Sequence, residues 1–243
     1  MAIISPNKIA TFFTICFFTS IAANSFGQNK QVGHGDQQWL QYYTELALND
    51  NFTLLTDGGY RWQNGFADQS QYIIRSALAF QPDSNFHLAA GFAFLGFYSE
   101  GEVDKTEIRP YQELLFNSSF GKIKFQHRLR AEQRIFNYKD SRETAFNHRF
   151  RYRIMLEVPL LSFSNNEKTV SFNIGDEVLV NAGKRIVYNI FDHNRLLIGP
   201  SLKFSDQVSI SMLYNQIFST ANEPNSHQLN HNLWVGIKHK LGR

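Results

Sequence analysis

Cysteine is almost missing from this chain: among 243 residues there is one, Cys16. A disulfide framework and a Cys-based metal site are thereby excluded. Proline is scarce at 6 residues, and charged side chains make up 19%, below the roughly 25% of an ordinary soluble domain. The two signs nearly balance, 24 Lys and Arg against 21 Asp and Glu, so a nucleic-acid binder's large clustered basic footprint is absent. Beyond residue 23 no stretch is apolar for long enough to cross a membrane as a helix. Aromatic side chains, by contrast, are plentiful at 15%, led by 23 Phe and 10 Tyr, and this content excludes a disordered chain.

The first residues read as an address. Lys8 gives a weakly positive start, Ile9 to Ala23 form an apolar run, and the small residues Ala22, Ala23, Ser25 and Gly27 precede polar Gln28. That order predicts a secretory signal peptide over residues 1–27, cleaved near Gly27; an uncleaved anchor is the alternative. Cys16 lies within the apolar run, so the exported chain is expected to be free of cysteine.

From there on the pattern has period two. In Lys122–Phe136 one face carries Ile123, Phe125, His127, Leu129, Ala131 and Ile135, and the other Lys124, Gln126, Arg128, Arg130, Glu132 and Arg134. In Arg149–Val158 the faces are Phe150, Tyr152, Ile154, Leu156 and Val158 against Arg149, Arg151, Arg153 and Glu157. Strands place successive side chains on opposite faces, and helices do not. Eleven candidate strands follow, near 38–48, 52–62, 70–80, 85–98, 107–119, 122–136, 147–158, 168–180, 193–205, 207–219 and 228–241. Tight links near 49–51, 81–84, 120–121 and 206 alternate with longer polar ones near 63–69, 99–106, 137–146, 181–192 and 220–227.

These features predict an all-β fold: a single antiparallel transmembrane (outer-membrane) β-barrel of about 10–12 strands over residues 38–243, after the signal peptide. Long strands, the export signal and aromatics near strand ends (Tyr60, Trp62, Phe97, Tyr98, Phe120, Phe136, Tyr138, Phe218) favour apolar side chains turned outward to lipid. An odd count conflicts with the even number usual in bacterial barrels. Residues 28–37 are therefore expected to be a linker or an irregular twelfth strand; the other solution is ten strands, with one candidate outside the wall. The expected location is the outer membrane of a Gram-negative bacterium, with lipid as the surrounding partner, no nucleic acid and no cofactor.

The segment His127-Arg128-Leu129-Arg130-Ala131-Glu132-Gln133-Arg134 resembles a hallmark of an outer-membrane barrel family, the domain of unknown function numbered 2490. Arg149-Phe150-Arg151-Tyr152-Arg153 with Pro159, Glu177-Val178-Leu179-Val180-Asn181, Asp192-His193-Asn194-Arg195-Leu196 and Tyr214-Asn215-Gln216 fit it as well. The resemblance runs from about Trp39 to the C-terminus. It implies a secreted β-barrel and supplies no catalytic residues.

The chemistry, if any, lies on the polar face. Arg128, Arg130, Arg134, Arg149, Arg151 and Arg153 form a stripe on adjacent strands, joined by Arg195 and by the acids Glu113, Glu132, Glu157 and Glu177. With the apolar face outward, all point into the lumen. Guanidinium forks pair carboxylates and phosphates, so the stripe is either a path or binding site for small anionic solutes or an ion-paired plug that fills the lumen. A lipid-modifying enzyme is the rival, and it needs a nucleophile beside a base. His127 stands on the apolar face with Ser118 and Ser119 as the nearest hydroxyls of its hairpin. Asp176, out of phase between Ile174 and Val178, is expected to turn inward through a bulge at Gly175. His227, His231 and His239 are spaced too widely along a strand for a metal site. Glu100, Glu102, Asp104 and Glu107 read as a solvated acidic loop.

Overall fold

The computed structural model describes residues 31–141, 143–163, 168–184, 186–221 and 223–242. The expected signal peptide lies outside the described residues. Within them the chain forms β1 (Gln31–Ala47), β2 (Phe52–Gln63), β3 (Asp68–Phe80), β4 (Phe86–Ser99), β5 (Glu102–Phe120), β6 (Ile123–Tyr138), β7 (Thr144–Phe163), β8 (Lys168–Ala182), β9 (Phe191–Lys203), β10 (Val208–Thr220) and β11 (Ser226–Leu241). Each stretch of alternation is thus a strand. Neighbours in sequence pair antiparallel around the wall, and β1 and β11 meet to close it.

The closure corrects the expected even count. With eleven strands, β1 and β11 both begin at the same end of the barrel, so they pair parallel, in register from Gln31↔Ser226 to Leu46↔Leu241. An even number is required only where every pair is antiparallel. Gln31–Gln37, expected as a linker or a twelfth strand, is instead the first part of β1 and pairs with β11 along its length.

The strands also run further than the alternation indicated: β7 continues to Phe163 at one end, and the other extensions lie mostly at the opposite end, where β1 begins. The expected long links there contract to 64–67, the pair Glu100-Gly101, 139–143 and 221–225, and only 183–190 stays long. Glu100 and Gly101 both take positive φ, 51° and 82°. That conformation matches the right-handed twist of the flanking strands and lets two residues turn a hairpin. Glu107 consequently belongs to β5 and not to an acidic loop.

Side chains sort by face as the period dictates. Phe92 is 66% exposed and Ile74 61%, both outward, whereas Glu107 and Glu132 point inward and are 0% exposed. The barrel is therefore apolar outside and charged inside. Small residues show that the interior is full: Ala77, Ala79 and Ala93 face the lumen yet are buried, so other side chains cover them. At Gly91 a β-carbon would collide with the Ser76 carbonyl and the Ala77 side chain, so this close β3–β4 contact depends on glycine. Two aromatics expected near the outer rims, Phe97 and Phe136, point inward instead. Phe97 packs on the buried Ile73, Ala93 and Leu95, and Phe136 is itself buried.

The parallel seam is testable by cross-linking. In a chain with Cys16→Ser, the double variant Leu40→Cys, Val235→Cys joins direct cross-strand partners. It should form an intramolecular disulfide under mild oxidation, read as a shift in gel mobility, whereas Leu40→Cys with Met212→Cys should not. Absence of the first cross-link in folded protein would refute the seam.

Candidate functional site

The lumen is an arginine lattice. All ten arginines among the described residues point inward: Arg61, Arg75, Arg109, Arg128, Arg130, Arg134, Arg149, Arg151, Arg153 and Arg195. Pairing alone would set like charges together, because Arg130 lies opposite Arg151 and Arg128 opposite Arg153. Directly opposed like charges destabilise a sheet. Interleaved acids resolve this: Glu113 stands opposite Arg130, Glu132 opposite Arg149, and Glu177 between Arg153 and Arg195.

Glu132 and Glu177 are the two hubs. Arg149 Nε donates to Glu132 Oε2 at 2.7 Å, and Arg151 Nη1 donates to Glu132 Oε1 at 2.7 Å. Arg151 then reaches across to Glu177 Oε1, donating from Nη2 at 2.8 Å and from Nε at 3.0 Å. Arg128 Nη2 donates to the same oxygen at 2.5 Å, and Arg195 Nη1 approaches Glu177 Oε2 at 3.5 Å. Glu113 accepts from Arg130 Nε at 2.6 Å, with Arg128 at 3.6 Å. The lattice thus ties β5, β6, β7, β8 and β9 together by contacts that skip a strand as well as contacts between neighbours.

Sequence reasoning missed several members. Glu107 takes two bonds each from Arg109 (2.6 and 2.8 Å) and Arg134 (2.8 and 3.1 Å). Glu107 and Arg109 are legible by counting back in twos from Glu113 within the candidate strand 107–119. Asp192 accepts from Arg149 Nη1 at 2.9 Å. A register shift at Leu179/Val180 on the β8–β9 pair turns it inward, and no sequence signal marks that bulge. Asp57 and Arg75 form a separate fork, both carboxylate oxygens at 2.9 Å from Nε, deeper towards β1.

Two of the expected lumen residues stand apart. Arg153 donates to Gln126 Oε1 at 2.8 Å and makes no carboxylate contact among the described residues. Glu157, at the far end of β7, pairs with the exposed Lys124 at 3.3 Å. Asp176 is a correction. There is no register shift at Gly175, the alternation continues through it, and Asp176 faces outward, accepting from Asn194 Nδ2 at 3.0 and 2.9 Å. His127 is bonded to the Tyr152 hydroxyl at 2.9 Å rather than to a serine. His231 and His239 each bond a phenol of their own, Tyr214 and Tyr42.

Burying a carboxylate costs several kcal/mol unless strong partners replace its water. Here guanidiniums supply them, so each acid depends on its arginines and each arginine on its acids. Glu132→Gln would leave Arg149 and Arg151 short of their shared anion. It should lower the stability of the folded barrel by about 3 kcal/mol or more, measured by urea unfolding in lipid vesicles. Lys124→Gln, at an exposed pair, should change it by less than about 1 kcal/mol.

No curated protein matches this sequence. A family comparison does: residues 36–228, which contain every arginine and carboxylate of the lattice, match the family described as a protein of unknown function, DUF2490. The chain, a closed β-barrel built around an arginine–glutamate lattice, belongs to that family.

Proposed function

We propose that the protein is an outer-membrane β-barrel whose lumen is sealed by the ion-paired lattice, a closed structural or binding barrel rather than an open pore. The outer face supports the membrane assignment. Leu40, Leu78, Leu88, Phe92, Phe94, Leu129 and Phe150 stand exposed around it, an arrangement that water disfavours and hydrocarbon favours. The shortest strand, β2, has 12 residues. At about 3.3 Å per residue and a tilt of about 40°, such a strand covers roughly the 30 Å of a bilayer core. Every backbone group in a closed wall is paired, as hydrocarbon requires.

The observation that carries the closed reading is the burial of the hub carboxylates. Glu107 and Glu132 are 0% exposed and Glu177 2%, although all three point into the lumen. A water-filled channel passing them would leave them wet. Barrels of about eight strands are filled by side chains and open channels appear near sixteen, so eleven lies on the filled side. The arginines around these hubs are spent on fixed acids, and a selectivity ring keeps them free for passing ions.

Single-channel recording on the chain purified from membranes and inserted in planar bilayers tests this. The expected record is silent. Glu132→Ala combined with Arg151→Ala, which removes a hub and its bridge together, should admit intermittent current. A steady anion-preferring current from the unaltered chain would overturn the closed reading.

A further inference from the structure

One side of the lumen holds guanidiniums that the acids do not satisfy. Ten arginines face inward against six enclosed carboxylates, Asp57, Glu107, Glu113, Glu132, Glu177 and Asp192, while two further acids of the same face, Glu45 and Glu157, pair with Lys238 and Lys124 nearer the other end. The surplus is not spread evenly. The acids of the lattice lie on β5, β6, β8 and β9, whereas β10 and β11 contribute amides and an indole at the same depth.

Trp39 is the centre of this second region. The Arg61 guanidinium stacks on its ring at 3.8 Å, and that of Arg195 lies 5.5 Å from the ring centroid. Trp234 packs edge-on against it at 5.4 Å across the parallel seam. Arg61 has no carboxylate partner among the described residues and donates to Gln71 at 2.6 Å. Arg195 has only the long 3.5 Å approach to Glu177. Two cations over one ring raise the local positive potential, and the indole face screens part of it.

The polar groups beside these cations have no partner in the fold. Asn215 is 0% exposed and Asn232 1%, yet among the described residues neither amide finds a hydrogen-bond partner on either atom. They are direct cross-strand partners and do not bond each other. Trp234 Nε1 and Arg195 Nε are unpartnered in the same way. Buried polar groups in folded proteins are almost always satisfied, and a cluster that is not marks a place where something else binds. Here donors outnumber acceptors, and the nearest charges are positive.

We infer that Arg61, Arg195, Asn215, Asn232 and Trp234 form a binding site for one small oxyanion, a carboxylate or phosphate, on the seam side of the lumen. The guanidiniums supply charge-assisted bonds, and the indole and amide N–H groups supply neutral ones. The two amide oxygens accept from a hydroxyl or a protonated oxygen of the same ligand. The site lies towards the end where β1 begins, with Arg61 two residues from the end of β2. The site rests on the closed lumen proposed above, because an open channel would offer water to the same groups.

Intrinsic fluorescence tests it directly, since two of the three tryptophans, Trp39 and Trp234, line the site. The full chain carrying Trp62→Phe, folded in detergent micelles, is titrated with inorganic phosphate, and separately with acetate, at constant ionic strength. A saturable change with one or both anions is expected, and the stronger arm identifies the anion class. Arg195→Gln and, independently, Asn232→Leu should each weaken it at least about 10-fold while leaving the folded, heat-modifiable gel band intact. A change that is linear and equal to that with chloride, or one unaltered in both variants, would overturn the site. A silent bilayer record without saturable binding rejects the site and keeps the closed lumen; saturable binding with a steady current rejects closure and keeps the site.

Discussion

The structure depends on carboxylates that have been taken out of water. Glu132 is fully buried and bound by Arg149 and Arg151, with Arg109 and Arg130 at 3.8 and 4.0 Å. A single buried ion pair is weak evidence for stability, because desolvation offsets most of the Coulomb gain. A lattice differs in that each ion's solvation shell is replaced by several fixed partners at once. Removing any member strands the others, so the contacts are cooperative even where each is modest. The lattice is the interior's counterpart to the hydrophobic core of a soluble domain, and it fixes how β5, β6, β7, β8 and β9 sit relative to one another.

That constraint also explains the remaining interior. Long arginine side chains extending from β6 and β7 need space, and β3 and β4 concede it through Ala77, Ala79, Ala89, Gly91 and Ala93. Aromatic rings then take the edges of the lattice: Tyr111 beneath Arg130 at 4.4 Å and Phe136 beneath Arg134 at 4.6 Å. Each ring covers the apolar faces of a guanidinium whose N–H edge is already engaged. Cation–π contact and ion pairing therefore act on different parts of the same group and do not compete.

How much of this could be read from the sequence follows from what period two encodes. Alternation specifies which face a residue occupies, so the placement of Arg128, Arg130, Arg134, Arg149, Arg151, Arg153, Glu113, Glu132 and Glu177 on one face was legible. It does not encode where a hairpin closes, so β5 starts at Glu102 and not near 107, and Glu107, at the edge of the alternation, reads equally as part of an acidic loop. It is equally blind to a bulge. One was expected at Gly175 to rescue Asp176, and the actual shift lies at Leu179/Val180, where it turns Asp192 inward. Asp176 instead keeps its outward position with Asn194 as partner. Strand parity was the last failure: local pattern contains no information about whether the first and last strands meet parallel or antiparallel.

The parallel seam has a chemical consequence. In an antiparallel barrel every strand joins its neighbour by a hairpin, and complementary charges can be matched locally, as Glu113 with Arg130 or Glu132 with Arg149. β1 and β11 are the chain's most distant strands, and they meet with tryptophan against tryptophan and asparagine against glutamine: Trp39↔Trp234 and Gln37↔Asn232. Neutral groups meet at this end of the seam, whereas nearer the other end Glu45 pairs with Lys238 across it at 2.5 Å. The acids of the lattice lie on β5, β6, β8 and β9, away from this end of the seam, and the field of the surplus arginines goes uncancelled beside it. An electropositive, amide-lined region is where such a closure leaves it, with Arg61 and Arg195 reaching in from β2 and β9 over a shared indole. The same asymmetry that closes an odd-stranded wall thus separates the lumen into a half crossed by ion pairs, which holds the barrel together, and a seam half of neutral groups, which has bonding capacity left for an anion.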